Sequence, residues 1–333
     1  MSVSVAILGA TGVIGQKAIA LLARNPWIKI IELVASDRRI GQTFGEVCDW
    51  REVLMPMPDS ISSIVLKGAK NLLAEFIISC LPSEIARTVE PMLAAQGKIV
   101  FSNASTFRMQ TNVPLLVPEV NFEHLSLLDS QDTTGKIITN PNCATVGVVL
   151  AVAPLMKLAK IAHISVVTLQ SISGAGYPGV ASLDILGNTI PHIAEEAEKI
   201  VEETKKILGS PKNHANFAVT AHVHRVPVMY GHTVTLHITF KDSVDVNQAL
   251  DAYTAWNNKY PELFVIHDAD ERPQSTKDLR QDDMRVHIGQ LRQGDRPNVL
   301  GLVCLTHNLV RGAAGAVIAN IENYNSLKKG HDA

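Results

Sequence analysis

Of the four cysteines in the chain, Cys48, Cys80, Cys143 and Cys304, one has neighbours that could change its chemistry. Cys143 sits in Asn140-Pro141-Asn142-Cys143-Ala144-Thr145, between a strand-like run (Lys136–Thr139) and a long apolar helix expected over Ala144–Ala159. Asn142 is a natural N-cap, which places Cys143 in the first turn of that helix. Unpaired N–H groups and the helix dipole favour a thiolate there, and the same groups could hold an oxyanion. An ordinary thiol is only about 3% ionised at pH 7, so a modest downward shift has a large effect. The other three thiols read as small hydrophobes. No two cysteines have the spacing of a metal knuckle or a C-x-x-C pair, so neither a metal nor a disulfide framework is expected.

A nucleophilic thiol also needs an acid/base partner, and twelve histidines compete for the role. The segment Arg225-Val226-Pro227-Val228-Met229-Tyr230-Gly231-His232-Thr233 stands out for its Arg and His at the two ends of a junction, with a glycine bend before His232. On residue type and spacing alone, His222, His224 and His237 are equally eligible.

A second chemistry lies at the start of the chain. Gly9-Ala10-Thr11-Gly12-Val13-Ile14-Gly15 links a β-branched apolar run (Ser2–Leu8) to an amphipathic helix (Gln16–Ala23), and a second buried strand follows at Ile28–Ala35. A glycine turn between strand and helix lets the backbone approach a dinucleotide diphosphate, which the helix N-terminus then binds. The end of the second strand reads Ala35-Ser36-Asp37-Arg38-Arg39. Guanidinium forks suit a 2′-phosphate, which favours NADP over NAD, while Asp37 keeps NAD open.

These residues need a scaffold, and the pattern supplies one. Strand candidates at Phe76–Leu81 and Gly97–Asn103 extend the βαβ start into an α/β domain reaching about residue 140. Beyond it come a strand at Ile164–Ile172, a charged helix at Glu195–Leu208 and alternating segments at Ala218–Pro227 and His232–Lys241. These resemble an antiparallel sheet more than further βαβ units. A last helix (about Val310–Asn323) should pack back on the first domain. The expected fold is a Rossmann-type doubly wound parallel sheet plus an inserted α+β domain with a mixed or antiparallel sheet. Its boundaries are 1–140 joined by 309–333, and 141–308. Residues 328–333 are expected to fray.

Composition narrows the class. The 333 residues are 46% hydrophobic and 19% charged, with a net charge of -2, which argues against nucleic acid or an anionic membrane as the main partner. No run approaches the roughly 20 apolar residues of a membrane span, and no signal peptide precedes the glycine turn, so a cytoplasmic enzyme is expected.

The motifs, in order, resemble the aspartate-β-semialdehyde dehydrogenase family, in the branch typical of archaea and fungi, over nearly the whole chain. They are GATGVIG (Gly9–Gly15), ASDRR (Ala35–Arg39), LPSE (Leu81–Glu84), SNAS (Ser102–Ser105), PNCAT (Pro141–Thr145), SGAGYPG (Ser173–Gly179), ETKKIL (Glu203–Leu208), RVPVMYGHT (Arg225–Thr233), ERPQ (Glu271–Gln274) and HNLVRGAAG (His307–Gly315). Any one is weak; all of them together are specific. The resemblance implies NADPH-dependent reduction of L-aspartyl-4-phosphate to L-aspartate 4-semialdehyde with release of phosphate. That step belongs to the biosynthesis of lysine, diaminopimelate, threonine and methionine.

The resemblance also implies roles. Cys143 matches the nucleophile, His232 the acid/base and Gln170 the glutamine that orients the intermediate. Arg225 matches the clamp on the substrate carboxylate and Glu196 the acid for the amino group. Arg108 and Lys199 match phosphate-binding cations, and Asn142 joins the substrate site. Gly9, Thr11, Gly12, Val13, Ile14, Ser36, Arg38, Arg39, Ser173, Gly174 and Asn308 match cofactor contacts. Cys143 would form a thioester, NADPH would reduce it, and the hemithioacetal would collapse with a proton from His232. From residue type alone, Glu196 and Lys199 read as an i,i+3 pair on a solvated helix face. The family forms homodimers or homotetramers. Three positions depart from its pattern: Ala144 where Ser or Thr is common, Cys80 where Ala is usual, and His224 where Asn is expected. The rival readings are a malonyl-CoA or succinyl-CoA reductase on the same scaffold, an N-acetyl-glutamyl-phosphate reductase, which fits less well, and an inactive NADP-binding paralogue.

Overall fold

In the computed structural model, which describes residues 2–331, contacts divide the chain into two compact units. The first contains the chain up to Pro118, Phe122–Pro141 and the segment from Ala313 onward. Its sheet has five parallel strands: β1 (Val3–Leu8), β2 (Ile28–Val34), β3 (Phe76–Ser79), β4 (Ile99–Ser102) and β5 (Lys136–Thr139), in the order β2-β1-β3-β4-β5. A parallel sheet is covered on both faces, so its strands are nearly continuous apolar runs. Along β1, Val5 and Ile7 face one core and Ala6 and Leu8 the other. Helix α1 (Val13–Leu22) contributes Ala18, Ile19 and Leu22 to the first core, and α2 (Ser83–Ala95) contributes Leu93 and Ala94 to the second.

The second unit contains Glu119–Asn121 and Asn142–Gly312. Its six strands are β6 (Ile161–Ser171), β7 (Ala218–Val226), β8 (His232–Phe240), β9 (Phe264–Ile266), β10 (Val286–Gln293) and β11 (Val299–Thr306), in the order β7-β6-β8-β11-β10-β9. The sheet is mixed. The β6–β7 and β9–β10 pairs are parallel and the others antiparallel, so of the two expected forms, mixed or antiparallel, the chain takes the mixed one. One face is sealed: Ile164, Val166 and Thr168 on β6 and Val234, Leu236 and Ile238 on β8 are buried. Helix α3 (Thr145–Val152) is buried in every residue, as an all-apolar helix must be. It is shorter than the Ala144–Ala159 expected, because Pro154 lacks the N–H that would continue it, and a 3₁₀ turn follows at Leu155–Lys157. The unit's two longer helices are α4 (Glu196–Ile207) and α5 (Val246–Lys259).

The last helix, α6 (Gly315–His331), returns to the first unit, where Ala314, Val317 and Ile321 join the core with Val5 and Ile7. Tyr324 packs edge-on against Phe76 and Phe101 at 5.8 and 5.9 Å. A π-helical turn (Val310–Ala314) leads into it. The helix continues through Lys328 to His331, where fraying was expected; Asp332 and Ala333 lie outside the described residues. Among the described residues, no helix is long and apolar enough to cross a membrane.

Candidate active site

Asn142 organises the segment that carries Cys143. Its Oδ1 accepts the N–H groups of Ala144 (2.9 Å) and Thr145 (3.4 Å), the bonding of an N-cap residue. The Val146 N–H also bonds to the Asn142 carbonyl (3.2 Å) and Ala144 is already helical in its backbone angles, so Cys143 stands in the turn that Asn142 caps. The two N–H groups that could have held an oxyanion are already bonded to Asn142. Asn142 is itself fixed: its N–H donates to Glu203 Oε2 (2.6 Å), and Nδ2 donates to both carboxylate oxygens of Glu196 (2.9 Å each).

The half-buried Cys143 Sγ lies 3.1 Å from Nε2 of His232, which is fully buried. Burial, with the nearby Arg225 and His307 charges, lowers the imidazole pKa to about 3, against the opposing effect of a backbone hydrogen bond with Gly231. The ring is thus neutral through the physiological range. On its far side, Nδ1 accepts the Ser171 N–H (3.1 Å). Strand alternation explains why this histidine is the partner. His232 shares the sealed face of β8 with Val234, Leu236 and Ile238, whereas His237 is exposed on the opposite face. His222 and His224 on β7 likewise alternate with buried Val223 and Arg225, and His224 Nδ1 lies 3.2 Å from the Thr168 carbonyl. That period-two signal was present in the sequence.

Arg225 pairs in register with Gln170, and both side chains are buried. Arg225 Nη1 donates to the Ser171 carbonyl (2.8 Å). Burial pulls its guanidinium below the usual range, while Cys143 and Glu196 act in the opposite sense. Gln170 Nε2 reaches Glu196 Oε2 at 3.3 Å. Glu196 follows a left-handed residue, Glu195 (φ 61°), at the start of α4, and turns toward Asn142 and Gln170 instead of pairing with Lys199. Lys199 pairs with Glu195 (3.1 Å), an i,i+4 contact that corrects the expected i,i+3 pair. Asn308 and Ser173 are joined at 2.9 Å beside this cluster, and Gly174 approaches the Arg225 and His232 side chains.

Three neighbours of the thiol were not singled out as site residues from sequence: Ser171, Glu203 and Gly312. Ser171 and Glu203 act through bonds to His232 and Asn142, which no local spacing announces. Gly312 lies in the π-helical turn, where a Cβ would stand 2.8 Å from Cys143 Cβ and 3.0 Å from its Cα. Only glycine fits there without moving the nucleophile. The other thiols differ: burial raises Cys48 to about 11, and Cys80 and Cys304 to about 12.

In the first unit, the glycine turn meets the strand ends. Gly9 has φ +70°, and a Cβ there would fall 2.6 Å from the Cys80 carbonyl oxygen. A cavity of about 680 Å³ opens beside it at the carboxyl ends of β1, β2 and β3, lined by Gly9, Thr11, Ser36 and Asp37–Arg39, among others. This is where an open α/β sheet reverses its strand order and where such folds bind dinucleotides. Arg39 Nη1 donates to Thr11 Oγ1 (3.1 Å), while Ser36 and Arg38 are exposed. Gly12, Val13 and Ile14 begin α1, whose first N–H groups lack intrahelical partners. The residues thus fit a phosphate-rich dinucleotide: a tight turn, a helix start and two guanidiniums. The acid on β2, Glu32, is unavailable to a ribose because it accepts bonds from Lys67 and the N–H groups of Leu73 and Ala74. Arg108, also in this unit and buried, donates from Nη2 to the Asn103 carbonyl (2.7 Å). Among the described residues, no cluster of side chains could hold a metal ion.

Comparison with known proteins agrees with this geometry. Residues 4–128 match the family described as semialdehyde dehydrogenase, NAD binding domain, and residues 152–311 match its dimerisation domain, which implies a homo-oligomer. The aspartate-semialdehyde dehydrogenase of Archaeoglobus fulgidus is 42% identical over 97% of this chain and 98% of its own length. The malonyl CoA reductase (NADP) of Metallosphaera sedula is 32% identical over 95% of each. The crystal structure of the Candida albicans aspartate semialdehyde dehydrogenase with NADP superposes with a TM-score of 0.89, at 30% identity, over 98% of this chain and 99% of that one. With both halves matched and relatives alike from end to end, the chain belongs to the aspartate-semialdehyde dehydrogenase family.

Proposed function

We propose that this chain catalyses the reversible, NADPH-dependent reduction of L-aspartyl-4-phosphate to L-aspartate 4-semialdehyde and phosphate, in the biosynthesis of the aspartate family of amino acids. The observation that carries this reading is one cluster: Cys143 Sγ 3.1 Å from His232 Nε2, with Arg225 and the Asn142-held Glu196 around it. Cys143 displaces phosphate and holds the acyl group as a thioester, which accepts hydride readily and expels sulfur easily. The bound nicotinamide supplies that hydride. His232 presents Nε2 to the sulfur and to the carbonyl oxygen of the acyl group. Arg225 takes the substrate α-carboxylate by its guanidinium fork. Glu196, steadied by Asn142 and Gln170, takes the α-ammonium, a group that an acyl-CoA substrate of the malonyl or succinyl type lacks. Arg108 and Lys199 are assigned to phosphate. For the cofactor, Gly9, Thr11, Gly12, Val13 and Ile14 serve the diphosphate, Ser36, Arg38 and Arg39 the 2′-phosphate, and Ser173, Gly174 and Asn308 the nicotinamide end. The assembly is a cytoplasmic homodimer or homotetramer. The test is reduction of NADP⁺ by aspartate semialdehyde: it should require phosphate or arsenate and vanish in Cys143→Ser. Dependence on coenzyme A instead would sink the assignment.

A further inference from the structure

Behind His232 runs a line of hydrogen bonds whose direction is fixed at its far end. The Gly231 N–H, which can only donate, bonds to Asn308 Oδ1 at 2.9 Å. That sets the amide, so Asn308 Nδ2 donates to Ser173 Oγ at 2.9 Å. Ser173 Oγ, which accepts that bond, lies 3.3 Å from Ser171 Oγ, and either hydroxyl can give its proton to the other. Ser171 Oγ in turn lies 3.3 Å from His232 Nδ1, and the Ser171 N–H points at the same nitrogen from 3.1 Å. The Ser171 N–H can only donate, so Nδ1 meets it with a lone pair, and the hydroxyl line joins the ring at the same nitrogen.

We propose that Asn308, Ser173 and Ser171 are positioning residues that keep His232 Nδ1 unprotonated, so that the neutral ring carries its proton on Nε2 and faces Cys143 as a hydrogen-bond donor. In a neutral imidazole, the bond made at one nitrogen decides which nitrogen holds the proton. Here the Ser171 N–H donates to Nδ1 with the Ser171 hydroxyl beside it, while a backbone hydrogen bond with Gly231 acts on the ring in the opposite sense. The ionisable groups around the ring are Cys143, Arg225 and His307.

The consequence rests on the reading of Cys143 as the nucleophile, though the tautomer itself does not. With a proton on Nε2, the ring has no lone pair toward sulfur and cannot take the thiol proton. That proton leaves to water, and the thiolate formed is held by Nε2–H and by the positive Arg225. Once the thioester carbonyl has been reduced, the alkoxide accepts the same N–H. Its electron pair then re-forms C=O, the C–S bond breaks, and the bonding pair returns to sulfur. No proton passes through the ring, unlike in the family scheme, where His232 delivers one.

The deciding measurement is the ¹⁵N spectrum of the full-length protein labelled at histidine, without substrate or cofactor, with His232 assigned by its loss in His232→Asn. At pH 7 we expect a pyridine-type Nδ1 and a pyrrole-type Nε2 that remain unchanged down to pH 5. A pyrrole-type Nδ1 in the wild type overturns the proposal, whatever the substrate proves to be. Asn308→Asp gives Ser173 an acceptor in place of a donor and reverses the hydroxyl line. The His232 signals should then shift toward an Nδ1–H form; no shift removes Asn308 and Ser173 from the arrangement. Ser173→Ala should lower kcat roughly five- to tenfold, the worth of about one hydrogen bond, and Ser173→Thr should restore it. The resting-state spectrum requires no turnover, so failure of the phosphate assay and failure of the tautomer are separate results.

Discussion

Cys80 and Cys143 both follow strands of the parallel sheet, one directly after β3 and the other four residues after β5, yet their surroundings differ in kind. Cys80 is half-buried like Cys143, but its Sγ accepts from Asn103 Nδ2 at 3.7 Å, and desolvation together with the Glu90 carboxylate pushes it up to about 12. Cys143 is half-buried and faces an imidazole nitrogen, with an arginine in electrostatic reach. A strand end supplies position for either thiol; the second faces an imidazole and an arginine where the first has a carboxylate nearby. Reactivity here is set by what a thiol faces, and burial works against it.

The largest test of this contrast is to remove each sulfur in turn. Cys143→Ser should lower kcat by on the order of 10⁴-fold with the fold intact. Cys80→Ala should keep kcat within about twofold and cost about 1 kcal/mol of stability. Steady-state kinetics and denaturant titration of both variants read the two quantities. Comparable kinetic losses would end the distinction.

Next in size is Gly312→Ala. The added methyl would press on Cys143 Cα and Cβ, which cannot swing aside as a side-chain tip can. A displacement approaching 1 Å should cost about 10²-fold in kcat. Alkylation by iodoacetamide should still single out Cys143, and a variant with wild-type kcat would mean the turn yields without moving the thiol.

Arg225→Lys probes the charge facing Cys143 without removing it. The ammonium keeps a positive charge but loses the fork and the Nη1 bond to the Ser171 carbonyl. The KM for aspartate semialdehyde should rise about 10- to 100-fold with a smaller change in kcat. An equal fall in kcat and kcat/KM would instead assign Arg225 to the transition state.

Local chemistry was legible in the sequence where neighbours in the chain are neighbours in space. The glycine turn needs only residues 9–15 and the strand before them, and the resemblance in motifs carried the architecture. Asn142 was readable as the cap of the turn that holds Cys143, but not that its bonds to Ala144 and Thr145 occupy the presumed oxyanion donors. The apolar run after it hid the stop at Pro154, because hydrophobicity continues where N–H groups do not. His232 could not be chosen from its neighbours alone; the choice follows from which face of β8 is sealed. Ser171, Asn308 and Glu203 meet their partners through long-range register, which no short window encodes.

The smallest expected effect tests the neutral ring that Cys143 faces and Cys80 lacks. Folded His232 takes up a proton only near pH 3, against an ordinary value of 6.5. Between those values the unfolded chain binds the proton that the folded chain refuses. Stability is therefore lost as pH falls below 6.5, by about 1.4 kcal/mol per pH unit once well under it. In His232→Asn this contribution is absent, while the remaining titrating groups, including the lowered His267, are common to both proteins and cancel in the difference. Urea titrations at pH 7 and pH 5 should show the stability difference between wild type and variant shifting by about 2 kcal/mol in the variant's favour at the acid end. A difference that stays constant would mean the buried ring accepts its proton in the folded state. Cys143 would then face an imidazolium, and the contrast with Cys80 would rest on a positive charge instead of a neutral donor.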